Sequence, residues 1–221
     1  MGTFIMRLVR NTGRGLALQE ALYGFIMAML FITASAFGLI NVETNIDVII
    51  LIVGMNFSWG AIDMVIFYFI DVAEQRKHFR ILRGDGLYDD KKKVIRDNLS
   101  GTIVGCLDDE SEDRVVDLIA ESGVEPEEEE KADRKELFKS AFSAFLITML
   151  TVVPAVLSLL IWGGGDNLKD GLMWAGLTSS ICMFFIGYKL GPYLGTKGIN
   201  SGLMVLALGL SITIIATFTG G

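Results

Sequence analysis

The sequence predicts an all-α integral membrane protein with five transmembrane helices and a helical cytoplasmic insert between helices two and three. The first observation behind this is that charge is segregated: residues 74–139 hold most of the Lys, Arg, Asp and Glu, and the stretches on either side are nearly free of them. The second is length. A helix needs about 20 apolar residues to cross a hydrocarbon core of about 30 Å, and five stretches meet that requirement, at residues 21–41, 46–70, 141–162, 172–188 with flanking residues, and 199–218. The third is the distribution of Lys and Arg, which gives the spans a direction.

Within lipid a backbone must satisfy its own hydrogen bonds, so each span is read as a helix. Arg7, Arg10 and Arg14 precede the first span, the insert adds Arg76, Lys77, Arg80, Arg83, Lys91, Lys92, Lys93, Arg96, Lys135 and Lys139 among its basic residues, and Lys189 and Lys197 occupy the turn between spans four and five. The opposite side has Lys169 alone, beside Glu43, Asp47, Asp166 and Asp170. Basic residues stay inside, so the N-terminus and the insert are expected in the cytoplasm and the C-terminus outside. An uncleaved start is expected too. Ala34, Ser35 and Ala36 imitate a signal-peptidase site, but the apolar run continues past them and cleavage would invert the charge balance of what remains. Phe4, Ile5, Leu8 and Val9, set among arginines, read as a short interfacial helix through about Gly15.

Three regions follow: residues 1–73 with spans one and two, 74–139 as the insert, and 140–221 with spans three to five. Residues 71–83 are expected to prolong span two as a helix that stops at Gly84, Asp85 and Gly86. Val115, Val116, Leu118 and Ile119 form the apolar stripe of a short helix closed by Gly123. Pro126 suits a first helical turn, with Glu127, Glu128, Glu129 and Glu130 at the positive end of its dipole, and that helix is expected to run on into span three.

Composition excludes several functions. A net charge of −7 lacks the basic footprint that nucleic acid demands. Two cysteines, Cys106 and Cys182, expected in cytoplasm and membrane, make neither a disulfide framework nor a zinc cluster. No Walker loop, GxSxG elbow, HExxH or dinucleotide fingerprint occurs, so no enzyme is expected.

Asp63 stands out. It lies about five residues from the midpoint of span two, hence about 7–8 Å toward the cytoplasm, where a carboxylate is costly unless it faces a partner, a cation or water. Asn56, Gly60, Asp63 and Phe67 recur at spacings that share one helix face, which continues through Asp71, Glu74 and His78. Such a stripe suits an ion path. Its competitor is a structural Asp63 that hydrogen-bonds a Ser or Thr of another span or stays protonated in the bundle. Met64 adds a soft thioether next to Asp63, and Met27, Met29 and Met55 fall in the first two spans, where methionine is more often packing than ligand. Glu74 and His78, at i and i+4, would need further ligands to hold a metal.

From residue 54 to 79 the stretch GMNFSWGAIDMVIFYFIDVAEQRKHF resembles the second helix of the vacuolar iron transporter family, five-helix carriers of ferrous iron or manganese, with a core approximating E-x-A-x-G-A-x-S-M. Gly60, Ala61 and Met64 match it, and His78 with Phe79 resembles a histidine–aromatic pair beyond the membrane exit. Pro154 in span three, FFIGYKLG ending span four and GINSGLMVLALGLSITII in span five fit the same order. The departures are that the family's first-helix aspartate falls at Met27, its second-helix glutamate at Asn56, and the serine before the methionine at Asp63, while its glutamate-rich metal domain is poorly matched by residues 80–135. The resemblance implies transport of a divalent cation of the Fe²⁺ or Mn²⁺ class, exchanged for protons by a homodimer, with no tightly bound cofactor. The small residues Gly24, Ala28, Ser35, Gly38 and Gly60 would permit close helix approach in such an assembly. The expected ion path is Asp63, Met64, Asn56 and Met27, with Asp71, Glu74 and His78 at its cytoplasmic mouth. The expected partners are membrane lipid, metal ions and a second copy, in the plasma membrane of a prokaryote or the vacuolar membrane of a eukaryote. The other reading is a non-transporting membrane protein of the same fold whose acidic insert docks a partner or senses metal.

The orientation is checked by cysteine labelling in intact cells, on a background lacking Cys106 and Cys182. A membrane-impermeant thiol reagent should modify Asn167→Cys and leave Ser122→Cys untouched. The reverse pattern overturns the orientation.

Overall fold

A computed structural model describes residues 2–83, 91–122, 128–165, 167–193 and 195–219. Among these, every regular element is helical: α1 (Gly2–Thr12), α2 (Arg14–Ala36), α3 (Asn45–Arg83), α4 (Lys91–Leu99), α5 (Asp109–Glu121), α6 (Glu128–Trp162), α7 (Leu168–Leu190) and α8 (Gly198–Thr219), with single 3₁₀ turns at Ile103–Cys106 and Gly191–Tyr193. Five of these helices, α2, α3, α6, α7 and α8, are long and apolar enough to cross a membrane. The chain divides into two compact units, one made of Met1–Ile66 with Lys139–Gly221 and the other of Phe67–Phe138.

In the first unit the helix boundaries follow backbone chemistry more closely than hydropathy. Gly13, at φ +84°, separates α1 from α2, a conformation that side chains with a Cβ rarely adopt. Helix α2 therefore starts at Arg14, seven residues before the apolar run at Ala21. It also stops earlier than hydropathy indicates. Gly38 adopts φ +68°, its N–H bonds the Ser35 carbonyl, and the Leu39 N–H bonds that of Ala34 at 2.9 Å. This is a Schellman termination, so residues 37–41 leave the helix although Phe37, Leu39 and Ile40 are apolar. Helix α3 opens on a reciprocal cap: the Asp47 carboxylate accepts from the Thr44 N–H at 2.8 Å, and the Thr44 hydroxyl accepts from the Asp47 N–H at 3.2 Å.

The unit's core joins Ala28, Ile52, Ala155, Leu159, Ala175 and Met183, contributed by α2, α3, α6 and α7. Beside it the hydroxyls of Ser158 and Thr178 meet at 3.0 Å. Helix α1 lies against the start of α6: Leu8 packs with Ala17 and Ile147, and Asn11 donates to the Ser143 hydroxyl at 3.2 Å. Close approach of α7 and α8 rests on glycine. A Cβ on Gly187 would stand 2.6 Å from Val205 Cβ and 2.7 Å from the Ser201 carbonyl oxygen, and one on Gly202 would meet the Phe184 ring at 2.7 Å. Small residues let helix backbones come together where lipid supplies no hydrophobic drive.

The second unit has a small core of its own, Ile81, Ile95 and Val116, with Ile119 and Ala120 against it. The stripe expected on α5 is thus rotated. Leu118 is 69% exposed, because at 100° per residue it stands far around the helix from Val116. Ion pairs between Lys92 and Asp117 at 2.7 Å and between Arg96 and Asp113 join α4 to α5. Asp108 caps α5, and the Ser111 backbone N–H it accepts at 3.0 Å holds its carboxyl below the usual carboxylate range. Helix α5 ends at Glu121 with Ser122 as its cap. The expected stops at Gly84, Asp85, Gly86 and Gly123, the turn at Pro126, and the side chains of Glu127, Glu128, Glu129 and Glu130 lie outside the described residues.

The glycine packing makes a stability prediction. Gly187→Leu should lower the melting temperature of detergent-solubilised protein by several degrees, an overpacking cost of about 1–3 kcal/mol. Gly54→Ala should leave it unchanged or raise it, since nothing lies within 4 Å of the added Cβ and alanine favours the helix.

Candidate functional site: a carboxylate pair in the helix bundle

Helix α2 begins at Arg14, which puts Glu20 nearly two turns inside it, and the side chain is completely buried. The residue stands one position before the first span as hydropathy defines it, which is why sequence reasoning passed over it. The signal that could have found it was spacing. Glu20, Gly24 and Met27 lie at i, i+4 and i+7, one polar group and one gap on the same helix face.

The surroundings of Glu20 come from three helices. The Thr148 hydroxyl of α6 donates to one carboxylate oxygen at 2.8 Å. The other oxygen, Oε1, is buried and has no hydrogen-bond partner among the described residues. Thr151, one turn along α6, turns its hydroxyl onto the Thr148 carbonyl at 2.6 Å. Glycines let α6 come so close. A Cβ on Gly24 would stand 2.1 Å from the Thr151 hydroxyl oxygen, and one on Gly60 would stand 3.1 Å from Phe145 and 3.4 Å from the Thr148 Cβ. The close contacts of Gly24 and Gly60 are therefore made within the chain, with α6.

Asp63 completes the arrangement. It is partly buried on α3, one turn from Gly60, accepts a hydrogen bond from the Trp59 indole and lies close enough to Glu20 for the two carboxylates to interact electrostatically. Neither carboxylate forms an ion pair among the described residues. Two carboxylates near one another in an apolar surrounding demand a positive charge between them, either a metal cation or a proton.

The other expected residues divide between the two units. Met64, beside Asp63, and Met27, two turns along α2 from Glu20, are both partly buried. Asn56 is completely buried two turns along α3 from Asp63, and its amide donates to the Ile52 carbonyl at 3.0 Å while Oδ1 has no partner among the described residues. Asp71, Glu74 and His78 belong to the second unit. Asp71 is partly buried and near enough to interact with Glu74, whereas Glu74 and His78 are exposed. Among the described residues no group of three or more His, Cys, Asp or Glu side chains is gathered as a metal site. A cation held by Glu20 and Asp63 would therefore take its remaining ligands from neutral oxygens, water or a second chain. No protein-family model, curated protein or solved structure matches this chain.

Removing the hydroxyl of Thr148 strips Glu20 of its donor. Thr148→Val should lower stability by about 1–3 kcal/mol, the cost of an unsatisfied buried polar group, read as a drop in melting temperature in detergent. Glu20→Gln on the wild-type background should be far milder, because the amide keeps the bond to Thr148. Equal losses in the two variants would contradict the arrangement.

Proposed function

We propose that the chain is a multi-pass membrane carrier for a divalent cation of the Fe²⁺ or Mn²⁺ class, exchanged against protons, with Glu20 and Asp63 as the groups that hold the ion. The observation that carries this reading is Glu20 itself, a buried carboxylate with one oxygen on Thr148 and the other unpartnered, within electrostatic range of a second carboxylate. A purely structural carboxylate would be expected to have both oxygens satisfied.

The resemblance to the vacuolar iron transporters supports the reading in a displaced form. On sequence, the family's two acidic positions fall at Met27 and Asn56. Glu20 and Asp63 each stand seven residues away, two turns along α2 and α3. In the orientation set by the basic residues the chain runs outward in α2 and inward in α3, so both displacements lead toward the cytoplasm and leave the carboxylates at one depth. Met64 adds a soft ligand beside them.

A second copy is part of the proposal. Helix α3 is the least covered of the five candidate spans, with 17% of its apolar window buried against 44% for α6. A partly buried Asp63 on such a helix cannot face lipid. A homodimer in which the α3 face bearing Ile62 and Ile66 meets its copy would cover Asp63 and supply further ligands.

Flux into proteoliposomes tests the carrier. Wild-type protein should move Mn²⁺ or Fe²⁺ with a rate that depends on the proton gradient. Glu20→Gln and Asp63→Asn should each reduce that flux to the level of empty liposomes while the purified variants remain folded. Met64→Leu should weaken the preference for soft metals with less effect on total flux. Absence of wild-type flux favours the non-transporting reading in which the acidic insert docks a partner or senses metal, and normal flux in both carboxylate variants removes Glu20 and Asp63 from the ion path. Ile62→Cys should form disulfide-linked dimers in native membranes if the α3 faces meet.

A further inference from the structure

Two adjoining cavities lie where α1 crosses the start of α2. One, of about 560 Å³, is almost wholly apolar, walled by Ile5 and Val9 of α1, Leu18 and Phe25 of α2, Leu150 of α6 and Phe185 of α7. Arg14 and Lys189 also line it. The other, of about 680 Å³, shares Ile5, Val9 and Arg14 with the first and adds Arg7 and Arg10. Among the described residues no acidic side chain lines either cavity. Arg7, Arg10, Arg14 and Lys189 are all exposed, so their charges are accessible from outside the helices.

We infer that these cavities form one binding site for a single anionic glycerophospholipid, with an acyl chain in the apolar cavity and the phosphate among Arg7, Arg10, Arg14 and Lys189. The match is one of shape and charge together. A lone basic patch would take any phosphate, and a lone apolar groove would take any acyl chain. An apolar slot opening onto three arginines and a lysine selects a molecule that carries both. Helix α1 supplies part of each cavity. It bears Arg7 and Arg10 for the headgroup and Ile5 and Val9 for the chain, while Leu8 and Asn11 fasten it to the bundle. An amphipathic basic helix of this kind sits at the headgroup boundary, and the cytoplasmic leaflet toward which these cations are oriented is the one rich in anionic lipid. The inference requires the membrane orientation but not the transport of any ion, so it stands or fails apart from the carrier reading.

Cys182 lines the apolar cavity and is partly buried, which makes it a reporter of occupancy. In full-length protein carrying Cys106→Ser, purified in detergent, alkylation of Cys182 by an apolar maleimide should slow on addition of phosphatidylglycerol. Phosphatidylcholine with the same chains should need about tenfold higher concentration for the same protection. Arg14→Gln with Lys189→Gln should abolish that preference while leaving the unprotected alkylation rate unchanged. Native mass spectrometry should show one retained phosphatidylglycerol per chain, lost in the double variant. Equal protection by the two lipids, or a preference that survives in the double variant, overturns the inference. Equal protection by glycerol 1-phosphate, which has no acyl chain, overturns it in favour of a simple phosphate site.

Discussion

The arrangement of α2, α3 and α6 turns on one interaction, the buried Glu20 carboxylate held by the Thr148 hydroxyl. An ionisable side chain without access to water is costly unless it is neutralised or paired, so its position constrains everything around it. Thr148 must face α2, which sets the rotation of α6. Gly24 and Gly60 must lack side chains, because α6 occupies the space that a Cβ at either position would need. Asp63 follows Gly60 by one turn on α3 and so comes into range of Glu20. The small residues and the two carboxylates are parts of one arrangement. A bundle of apolar helices could pack in several rotational settings of similar energy, and a buried polar contact of this kind penalises the settings that would leave it unmade.

That arrangement accounts for what was legible in the sequence and what was not. The five apolar helices were readable because length and hydropathy alone decide them, and the long continuation of α3 was readable because nothing between Ile70 and Arg83 breaks a helix. The ends of α2 were not. Its start depends on the positive φ of Gly13 and its stop on the Schellman bonds after Ala36, and hydropathy carries neither. The error mattered, because a span drawn from Ala21 turns Glu20 into a flanking charge when it is a buried one. Asp63 was found by its isolation in an apolar run, whereas Glu20 follows the basic, polar N-terminal stretch, where an acid attracts no notice.

In the insert, the apolar residues of α5 were recognised, but the face they use was not. Val116, Ile119 and Ala120 pack with Ile81 and Ile95, while Leu118 points away. Four apolar residues within five positions cannot all share one face of a helix, and only the partner helix decides which of them are covered. Helix α4, which supplies Ile95, carries a run of three lysines and gave no apolar periodicity to read. The exposed Glu74 and His78 illustrate the same limit. Their spacing puts them on one face, but spacing does not supply the further ligands a metal requires.

If Glu20 and Asp63 hold the ion, their carboxylates must change when a cation arrives. A difference infrared spectrum, recorded from membranes with and without Mn²⁺, observes those groups directly and independently of flux. The account predicts metal-induced changes in the carboxyl and carboxylate stretching bands of the wild-type protein. Those changes should shrink in Glu20→Gln and in Asp63→Asn, and vanish when both substitutions are combined. A wild-type difference spectrum that persists unchanged in the double variant would contradict the central claim.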